Sequence, residues 1–453
     1  MIEWLPLLMF AAVFAFILAG YAVAPTLAGV ALFFALIGIL AGLFNPTDLG
    51  FIPIRVFGVM SNTVLIALPL FILMGVTLER TNIANNLLRA LSSLMAGSPG
   101  GLAIAVVFVG ALMAASTGIV GATVVTLGLL ALPVMLKQHY QAGFATGTIA
   151  ATGTLGQIIP PSIALVLLGD VLSNAYQQSQ LASGVFNPKT VSVEDLFIGS
   201  LLPGLLLVGL YVAYIFGRSH LDPSVAPRAE RRDADLNQRE IVVSLLPPIL
   251  LIVAVLGSIL FGYATPTEAA GVGACGALLL AASQRALSFS TLKEICRTTL
   301  TTTAMVFFIL IGASVFSLVF RGFGGDELVS GWFTQIEHAP WLAVGIVMLV
   351  IFLLGFVLDF VEITYIVVPI VGPGLLAMGI DPVWLGVLIA LNLQTSFLTP
   401  PFGFALFYLR GVTPPSVETI QMYKGVVPFI ALQLIMIGIL ALFPALATWL
   451  PSL

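Results

Sequence analysis

Long apolar runs separated by short polar stretches fill the chain. An α-helix needs roughly 20 mostly apolar residues to cross a bilayer. The runs that predict such helices are 4–23, 25–44, 60–78, 196–216, 241–262, 267–283, 298–320 and 426–449. The polar stretch 170–195 predicts a loop, and the basic stretch 284–297 predicts a short interfacial segment. The pattern therefore predicts an all-α polytopic membrane protein.

Two further apolar runs are interrupted by adjacent prolines. Run 143–169 contains Pro160-Pro161, and run 382–409 contains Pro400-Pro401, which lies 240 residues later. Proline removes a backbone donor and clashes with the preceding turn, so a helix breaks there. Freed carbonyls at membrane depth are tolerated only when covered by protein or lining a cavity. Matching broken helices in two halves of a chain are typical of a secondary transporter's substrate and ion site.

Each broken helix follows two apolar segments that are short for spanning. They predict re-entrant helical hairpins at about 99–137 and about 341–378. The first hairpin has its tip at Ala115-Ser116-Thr117-Gly118, and the second has its tip near Asp359. A tip that stops inside the membrane must be buried in protein or face a cavity.

The second half of the chain repeats the first at nearly constant spacing. Gly312 follows Gly75 by 237 residues, and Pro369 follows Pro133 by 236 residues. These offsets, close to that of the two Pro-Pro breaks, predict an internal duplication. The predicted organisation is N-terminal helices 1–50, a first repeat 51–216, a linker 217–240, connecting helices 241–297 and a second repeat 298–453.

Charge supports the membrane assignment and sets the orientation. Hydrophobic residues make up 60% of the 453 residues and charged residues 8%, against about 25% charged in soluble domains. Linker 217–240 carries five arginines, which predicts a cytoplasmic location. With both hairpins re-entrant, 13 of the 16 basic residues become cytoplasmic, and only Arg55, Lys189 and Arg321 lie outside. The two repeats then have inverted topology, which suits alternating access.

The tips and breaks carry the residues with candidate chemistry. Helix N-termini attract anions, and unwound carbonyls with hydroxyls supply oxygen ligands for a hard cation such as Na⁺. The alternative to ligand binding, for each Ser or Thr hydroxyl, is a hydrogen bond to the backbone of its own helix. The candidates in the first half are Ser116, Thr117, Gly118, Gly153, Thr154 and Gln157. Those in the second half are Asp359, Glu362, Thr364, Asn392, Gln394, Thr395, Ser396 and Thr399.

Asp359 is the most specific single candidate. A carboxylate within a membrane helix costs about 3 kcal/mol on insertion scales, so Asp359 is either a cation ligand or a helix N-cap. Glu362 either shares the role of Asp359 or faces solvent at the tip of the hairpin. Glu268, which follows Thr265-Pro266, predicts a helix start.

Several classes of function are disfavoured by missing motifs. No histidine lies in an apolar run, and no phosphate-binding loop, His-Glu-x-x-His or Gly-x-Ser-x-Gly occurs. Cys275 and Cys296 form no metal or redox motif. The absence of a positive region before 4–23 predicts a retained helix rather than a cleaved signal. The sequence therefore predicts neither an enzyme nor a nucleic-acid partner.

Four segments in order carry a resemblance to a known family. They are 68–75, 153–161, 264–270 and Asn392 with 398–401. The chain resembles the large membrane subunit (DctM-type) of tripartite ATP-independent periplasmic (TRAP) transporters over nearly its whole length. The resemblance implies an elevator-type transporter in the bacterial inner membrane, driven by Na⁺ and without an organic cofactor. It also implies a small four-helix membrane subunit (DctQ-type), a periplasmic substrate-binding protein and a carboxylate substrate.

The resemblance further implies residue roles. The implied substrate-binding residues are Ser116, Thr117, Thr154, Gln157, Gln394 and Thr395. The implied Na⁺ ligands are Ser116, Gly118, Gly153 and Pro160 at one site, and Asp359, Asn392 and Thr399 at the other. Phe360-Val361-Glu362 and the long stretch 170–195 depart from many members and are similar to a branch associated with 2-oxo acid or lactate uptake.

Two other readings remain open. A single-component Na⁺:organic-anion symporter of the same architecture would need no binding protein. A membrane scaffold or enzyme without transport is the third reading, which the missing catalytic motifs disfavour.

Overall fold

The computed structural model describes residues 4–81, 83–118, 120–228 and 237–452, and omits the side chains of 115–117. Within those ranges the chain is helical and contains no strand. The helices of the first half are α1 (Leu5–Leu18), α2 (Val23–Leu40), α3 (Ile52–Ser61), α4 (Ala67–Arg80), α5 (Ile83–Leu94), α6 (Gly101–Thr117), α7 (Val120–Lys137), α8 (Ala142–Thr154), α9 (Ile163–Ala182) and α10 (Val193–Leu221). Those of the second half are α11 (Gln238–Leu260), α12 (Pro266–Ser283), α13 (Phe289–Gly322), α14 (Gly325–Gln335), α15 (Pro340–Leu354), α16 (Phe360–Glu362), α17 (Val368–Ala377), α18 (Pro382–Leu398), α19 (Phe404–Val412), α20 (Thr419–Leu442) and α21 (Ala445–Thr448).

The predicted polytopic membrane fold is confirmed. Among the described residues, seven helical segments are long and apolar enough to cross a membrane. A bent pair formed by Pro46–Ser61 and Val64–Arg80 would add an eighth. The predicted charged linker 217–240 falls partly on 229–236, which lie outside the described residues.

Two helical segments with a short interruption lie at each predicted hairpin, and an interruption between helices lies at each predicted break. In the first hairpin α6 ends at Gly118, which has a left-handed backbone (φ 58°). In the second, α15 is followed by α16, one π-helical turn and α17. The first break separates α8 from α9, the second separates α18 from α19, and Pro160-Pro161 and Pro400-Pro401 are both cis. Re-entrance, inversion and the repeat boundaries remain predictions.

The bounds of three predicted segments differ from those in the structure. Predicted helix 60–78 begins later, because the Asn62 side chain accepts a hydrogen bond from the Val64 amide and ends α3. The helical segment Val64–Arg80 follows, bent by 54° from Pro46–Ser61. Half of the predicted loop 170–195 is helix, since α9 continues to Ala182. Predicted segment 284–297 is largely part of α13, a single 34-residue helix, because no proline or glycine stops it before Gly312.

Contacts group the chain into two compact units. The first unit comprises Met1–Ile66, Leu167–Ser192 and Thr301–Gly386. The second unit comprises Ala67–Val166, Val193–Leu300 and Val387–Leu453. In the first unit, α1 packs on α13 through Phe10, whose ring lies edge-on to Phe316 and Phe320 at centroid distances of 5.1 and 5.4 Å.

The second unit is built around α8. Residues Phe144 to Thr154 of this helix are all buried, and α8 packs against α6, α7 and α20. Glycines allow the close approach, because a Cβ on Gly147 would overlap the carbonyl oxygen of Gly425 on α20. The small residues of α8 therefore place the first break in the centre of this unit.

Candidate functional site

The tip of the first hairpin lies directly against the first break. A Cβ built on Gly118 would lie 2.8 Å from the Ile163 amide nitrogen, which begins α9. A Cβ on Gly156, within the break, would lie 3.7 Å from the Gly118 Cα. The backbone of the tip thus contacts residues on both sides of Pro160-Pro161. Ser116 and Thr117 lie in the last turn of α6, and their side chains are outside the described residues.

The break contains buried polar groups that the described residues do not fully satisfy. The Ser162 hydroxyl donates to the Gly156 carbonyl over 2.8 Å. Gln157 is fully buried, and neither its amide oxygen nor its amide nitrogen has a partner among the described residues. A buried polar group without a partner costs about 1–3 kcal/mol. A bound ion or polar substrate at this position would recover that energy.

The donor set at the first break fits a hard cation. It consists of carbonyl, hydroxyl and amide oxygens, which alkali and alkaline-earth ions prefer over nitrogen or sulfur. Gly153 has a packing role as well, because a Cβ there would overlap the Val124 side chain of α7. Pro160 is buried within the break. Gly153 and Pro160 lie in one segment of the sequence, and the structure adds the hairpin tip beside them.

At the second break, two threonine hydroxyls donate hydrogen bonds to the backbone of their own helix, which is the alternative to a purely ligand-binding role. The Thr395 hydroxyl donates to the Leu391 carbonyl over 2.8 Å, and the Thr399 hydroxyl donates to the Thr395 carbonyl over 2.7 Å. Each hydroxyl oxygen still has lone pairs with which it can accept a hydrogen bond or bind a cation. Asn392 is 6% exposed, and Gln394 is fully buried. These residues belong to the second unit, as does the first break.

A buried polar cluster was missed by the sequence analysis. The Gln433 side-chain nitrogen donates to the Tyr211 hydroxyl over 2.7 Å and to the Thr154 hydroxyl over 3.2 Å. Thr154, Tyr211 and Gln433 thus connect α8, α10 and α20. The Gln394 side chain is also buried, and its amide atoms have no hydrogen-bond partner among the described residues. The available signal was a tyrosine and a glutamine within the otherwise apolar runs 196–216 and 426–449.

We expect Gln433→Leu to destabilise the protein by about 1–3 kcal/mol, because it leaves two buried hydroxyls without their donor. Thermal unfolding of the purified chain in detergent measures the change. Tyr211→Phe removes the same bond from the other side, so the double variant should be less than additive. Tyr263→Phe is the control, since Tyr263 is 85% exposed. Strict additivity of the two buried variants would contradict the cluster.

The tip of the second hairpin lies in the first unit and forms a helix cap. The Asp359 side chain accepts a hydrogen bond from the Phe360 amide over 2.7 Å, and the Glu362 carboxylate accepts one from the Asp359 amide over 2.8 Å. This is a capping box, so the capping role of Asp359 is present. Glu362 is 4% exposed, so it does not face solvent. Thr265 and Glu268 form the same device at the start of α12, as predicted.

The second predicted cation site remains a sequence prediction. Asp359 belongs to the first unit, whereas Asn392 and Thr399 belong to the second. The cap does not exclude cation binding, because the second carboxylate oxygen of Asp359 is not used in that capping hydrogen bond.

Comparisons with known proteins agree with this architecture. Residues 10–446 match the family model of the tripartite ATP-independent periplasmic transporter, DctM component. The C4-dicarboxylate TRAP transporter large permease DctM of Pseudomonas aeruginosa is 30% identical over 90% of this chain and 91% of that protein. The sialic acid TRAP transporter large permease SiaM of Vibrio cholerae is 30% identical over 91% of each chain. The crystal structure of the YdaH transporter of Alcanivorax borkumensis, whose topology is described as unusual, has a TM-score of 0.62 at 15% identity over 89% of this chain and 88% of that one.

Proposed function

We propose a transport reaction for this chain, which belongs to the DctM component family of tripartite ATP-independent periplasmic transporters. The chain is a large permease subunit, a multi-pass protein of the bacterial inner membrane, and is not an enzyme. The reaction is Na⁺-driven uptake of a small organic acid. A periplasmic binding protein delivers the acid, and a small four-helix membrane subunit (DctQ-type) accompanies the chain.

The observation that carries this proposal is the contact between the first hairpin tip and the first break. Gly118 lies against Ile163, and the buried Gln157 amide nearby has no partner among the described residues. Oxygens of Ser116, Gly118, Gly153 and Pro160 hold Na⁺, and the amide and hydroxyl groups of Ser116, Thr117, Thr154, Gln157, Gln394 and Thr395 bind the acid. For the second Na⁺ site, the family resemblance of the sequence alone assigns Asp359, Asn392 and Thr399.

The substrate class is supported by two of the relatives. Their names assign a C4-dicarboxylate and sialic acid, both of which carry a carboxylate. We therefore propose a carboxylate substrate without choosing among these acids. Elevator-type movement is the transport mode that we propose for the paired hairpins and broken helices, because discontinuous helices place binding groups at the membrane midplane.

Reconstitution tests the function and its alternative. The purified chain is placed in liposomes with and without its small membrane subunit and binding protein, and uptake of a panel of labelled organic acids is measured under an imposed Na⁺ gradient. Uptake that requires all three proteins supports the proposal. Equal uptake by the chain alone would favour the single-component symporter, and absence of uptake by the complete system would contradict transport of these acids.

Asp359→Asn separates the capping role from the cation role. Asparagine caps a helix about as well as aspartate, so the fold should persist while the charge is lost. We expect the Na⁺ concentration for half-maximal uptake to rise by about tenfold or more, which corresponds to about 1.4 kcal/mol of lost binding energy. Uptake measured against Na⁺ concentration gives this value directly.

Asp381→Asn is the matched control. Asp381 also caps a helix, since its side chain accepts a hydrogen bond from the Trp384 amide over 2.8 Å. Its replacement should leave the Na⁺ dependence unchanged. If Asp359→Asn also leaves the Na⁺ dependence unchanged, while Asp359→Ala lowers thermal stability, then Asp359 is a cap alone and the second Na⁺ site is wrong.

A further inference from the structure

The first unit contains a cavity, lined by both apolar and polar side chains, that the proposed transport site does not include. Its volume is about 310 Å³, which is within the range of cavities that hold small organic ligands. Polar side chains of α3, α9 and α13 and of the second hairpin line it. The polar and charged lining residues are Arg55, Asn62, Asp170, Asn174, Gln178, Ser314, Ser317, Arg321 and Tyr365.

Arg55 supplies a cationic group to the cavity, and its nearest acidic influence is Asp326, which attracts it from beyond ion-pair distance. Its side chain is half-buried, and it makes no ion pair with any residue in the described part of the chain. Arg321, on the same cavity wall, is already held: its Nε lies 3.1 Å from the Asp326 carboxylate, and one guanidinium nitrogen donates to Gln178 over 3.5 Å. The guanidinium of Arg55, unlike that of Arg321, is therefore not held in an ion pair by any described residue.

The acidic residue of the cavity is occupied by other groups. One Asp170 oxygen accepts a hydrogen bond from the Asn62 side chain over 2.9 Å, and the other accepts one from the Tyr365 hydroxyl over 3.0 Å. Asp170 thereby ties α9 to the bend after α3 and to the second arm of the second hairpin. Both oxygens are turned toward these neutral donors, and Asp170 makes no ion pair with Arg55 among the described residues.

We propose that this cavity binds the carboxylate of the transported acid, with Arg55 as its charged anchor. A guanidinium binds a carboxylate through two parallel hydrogen bonds, and Ser314, Ser317 and Asn174 offer neutral partners for hydroxyl or carbonyl groups of the same ligand. The predicted orientation supports this assignment, since Arg55 and Arg321 are two of only three basic residues placed on the periplasmic side. An acid that enters from the periplasm would meet this cation on its way inward.

The inference rests on the proposed uptake function, but its test does not. Succinate is titrated into the purified full chain in detergent by calorimetry, in Na⁺-free buffer, so that a Na⁺-dependent site is not loaded. Sulfate serves as the inorganic probe. We expect succinate to bind, and Arg55→Gln to weaken its binding by about tenfold or more, because a charge-assisted pair is lost. Arg55→Lys should retain part of the affinity.

Lys189→Gln is the matched control. It removes one positive charge from the same predicted side of the membrane, at an exposed position outside the cavity lining. Equal weakening by Arg55→Gln and Lys189→Gln would overturn the site, and so would unchanged binding in Arg55→Gln. Binding of sulfate but not of succinate would overturn the organic-acid assignment. Thermal unfolding of each variant verifies that it is folded.

The outcome separates this inference from the proposed function. Na⁺-driven uptake by the reconstituted system with unchanged succinate binding in Arg55→Gln contradicts the cavity alone. Arg55-dependent binding without Na⁺-driven uptake supports the cavity and contradicts the transport reaction.

Discussion

Gly118→Ala is expected to raise the Na⁺ concentration for half-maximal uptake by about tenfold or more, the equivalent of about 1.4 kcal/mol. Two costs combine at this position. The backbone is left-handed (φ 58°), which costs a residue with a Cβ about 1–2 kcal/mol. The added Cβ would also lie 2.8 Å from the Ile163 nitrogen, and a backbone atom cannot move aside as a flexible side chain can. The hairpin tip must therefore withdraw from the first break.

Gly97→Ala is the control, because it carries the backbone cost without the clash. Its comparison with Gly118→Ala therefore isolates the effect of the clash with Ile163. Gly97 also has a left-handed backbone (φ 86°), but a Cβ there would have no neighbour within 4 Å. Both variants should lose similar stability from backbone conformation, and only Gly118→Ala should alter the Na⁺ dependence. The measurement is uptake against Na⁺ concentration, normalised to the amount of protein in the membrane. Equal effects of the two variants would remove the tip from the proposed ion site.

Gly425→Ala is expected to reduce the yield of folded protein sharply. A Cβ on Gly425 would overlap the backbone carbonyl of Gly143, and a Cβ on Gly147 would overlap the carbonyl of Gly425. Overpacking a tight contact typically costs about 1–3 kcal/mol and occasionally more. Here the cost should reach the upper end, because two helix backbones must separate. The separation would also disturb the Gln433–Thr154 hydrogen bond between the same two helices, α20 and α8.

The control for this prediction has the opposite expected sign. Gly438 lies on the same helix, and a Cβ there would have no neighbour within 4 Å. Replacing a helical glycine by alanine without a clash should stabilise the protein by about 0.5–1 kcal/mol. Size-exclusion profiles and thermal unfolding in detergent compare the two variants. A Gly425→Ala protein as stable as Gly438→Ala would show that α8 and α20 are not held at backbone distance.

Prediction from the sequence succeeded for features that are caused by residues close together in the chain. The breaks at Pro160-Pro161 and Pro400-Pro401 follow from the missing donor and the clash that each proline imposes. The turn at Gly118 follows from a short polar stretch between two apolar segments. Helix ends were less predictable: α13 begins at Phe289 and includes Lys293 and Arg297, because long basic side chains can extend to the membrane interface without ending a helix.

The candidate site was predicted only in part, because many of its contacts join residues that are far apart in the chain. The sequence identified Thr154 as a candidate because it lies beside a helix break. Its donor, Gln433, is 279 residues away in the chain, and no periodicity relates the two positions. Similarly, Asp170 is 195 residues from Tyr365, and it was assigned to a loop rather than to the middle of α9. These partners depend on which helices become neighbours.

The sequence by itself determined that this protein is an all-α multi-pass membrane protein with two hairpins and two broken helices. These features depend on transfer to lipid, on helix length and on proline, all of which act within a few residues. Only the tertiary structure decided which polar groups meet. It brought Gly118 against Ile163, placed Gln157 where no described residue satisfies it, and gathered Arg55 and Arg321 around one cavity. Packing sets these contacts, because helix pairing depends on the shapes of whole helix faces rather than on the pattern along any one helix.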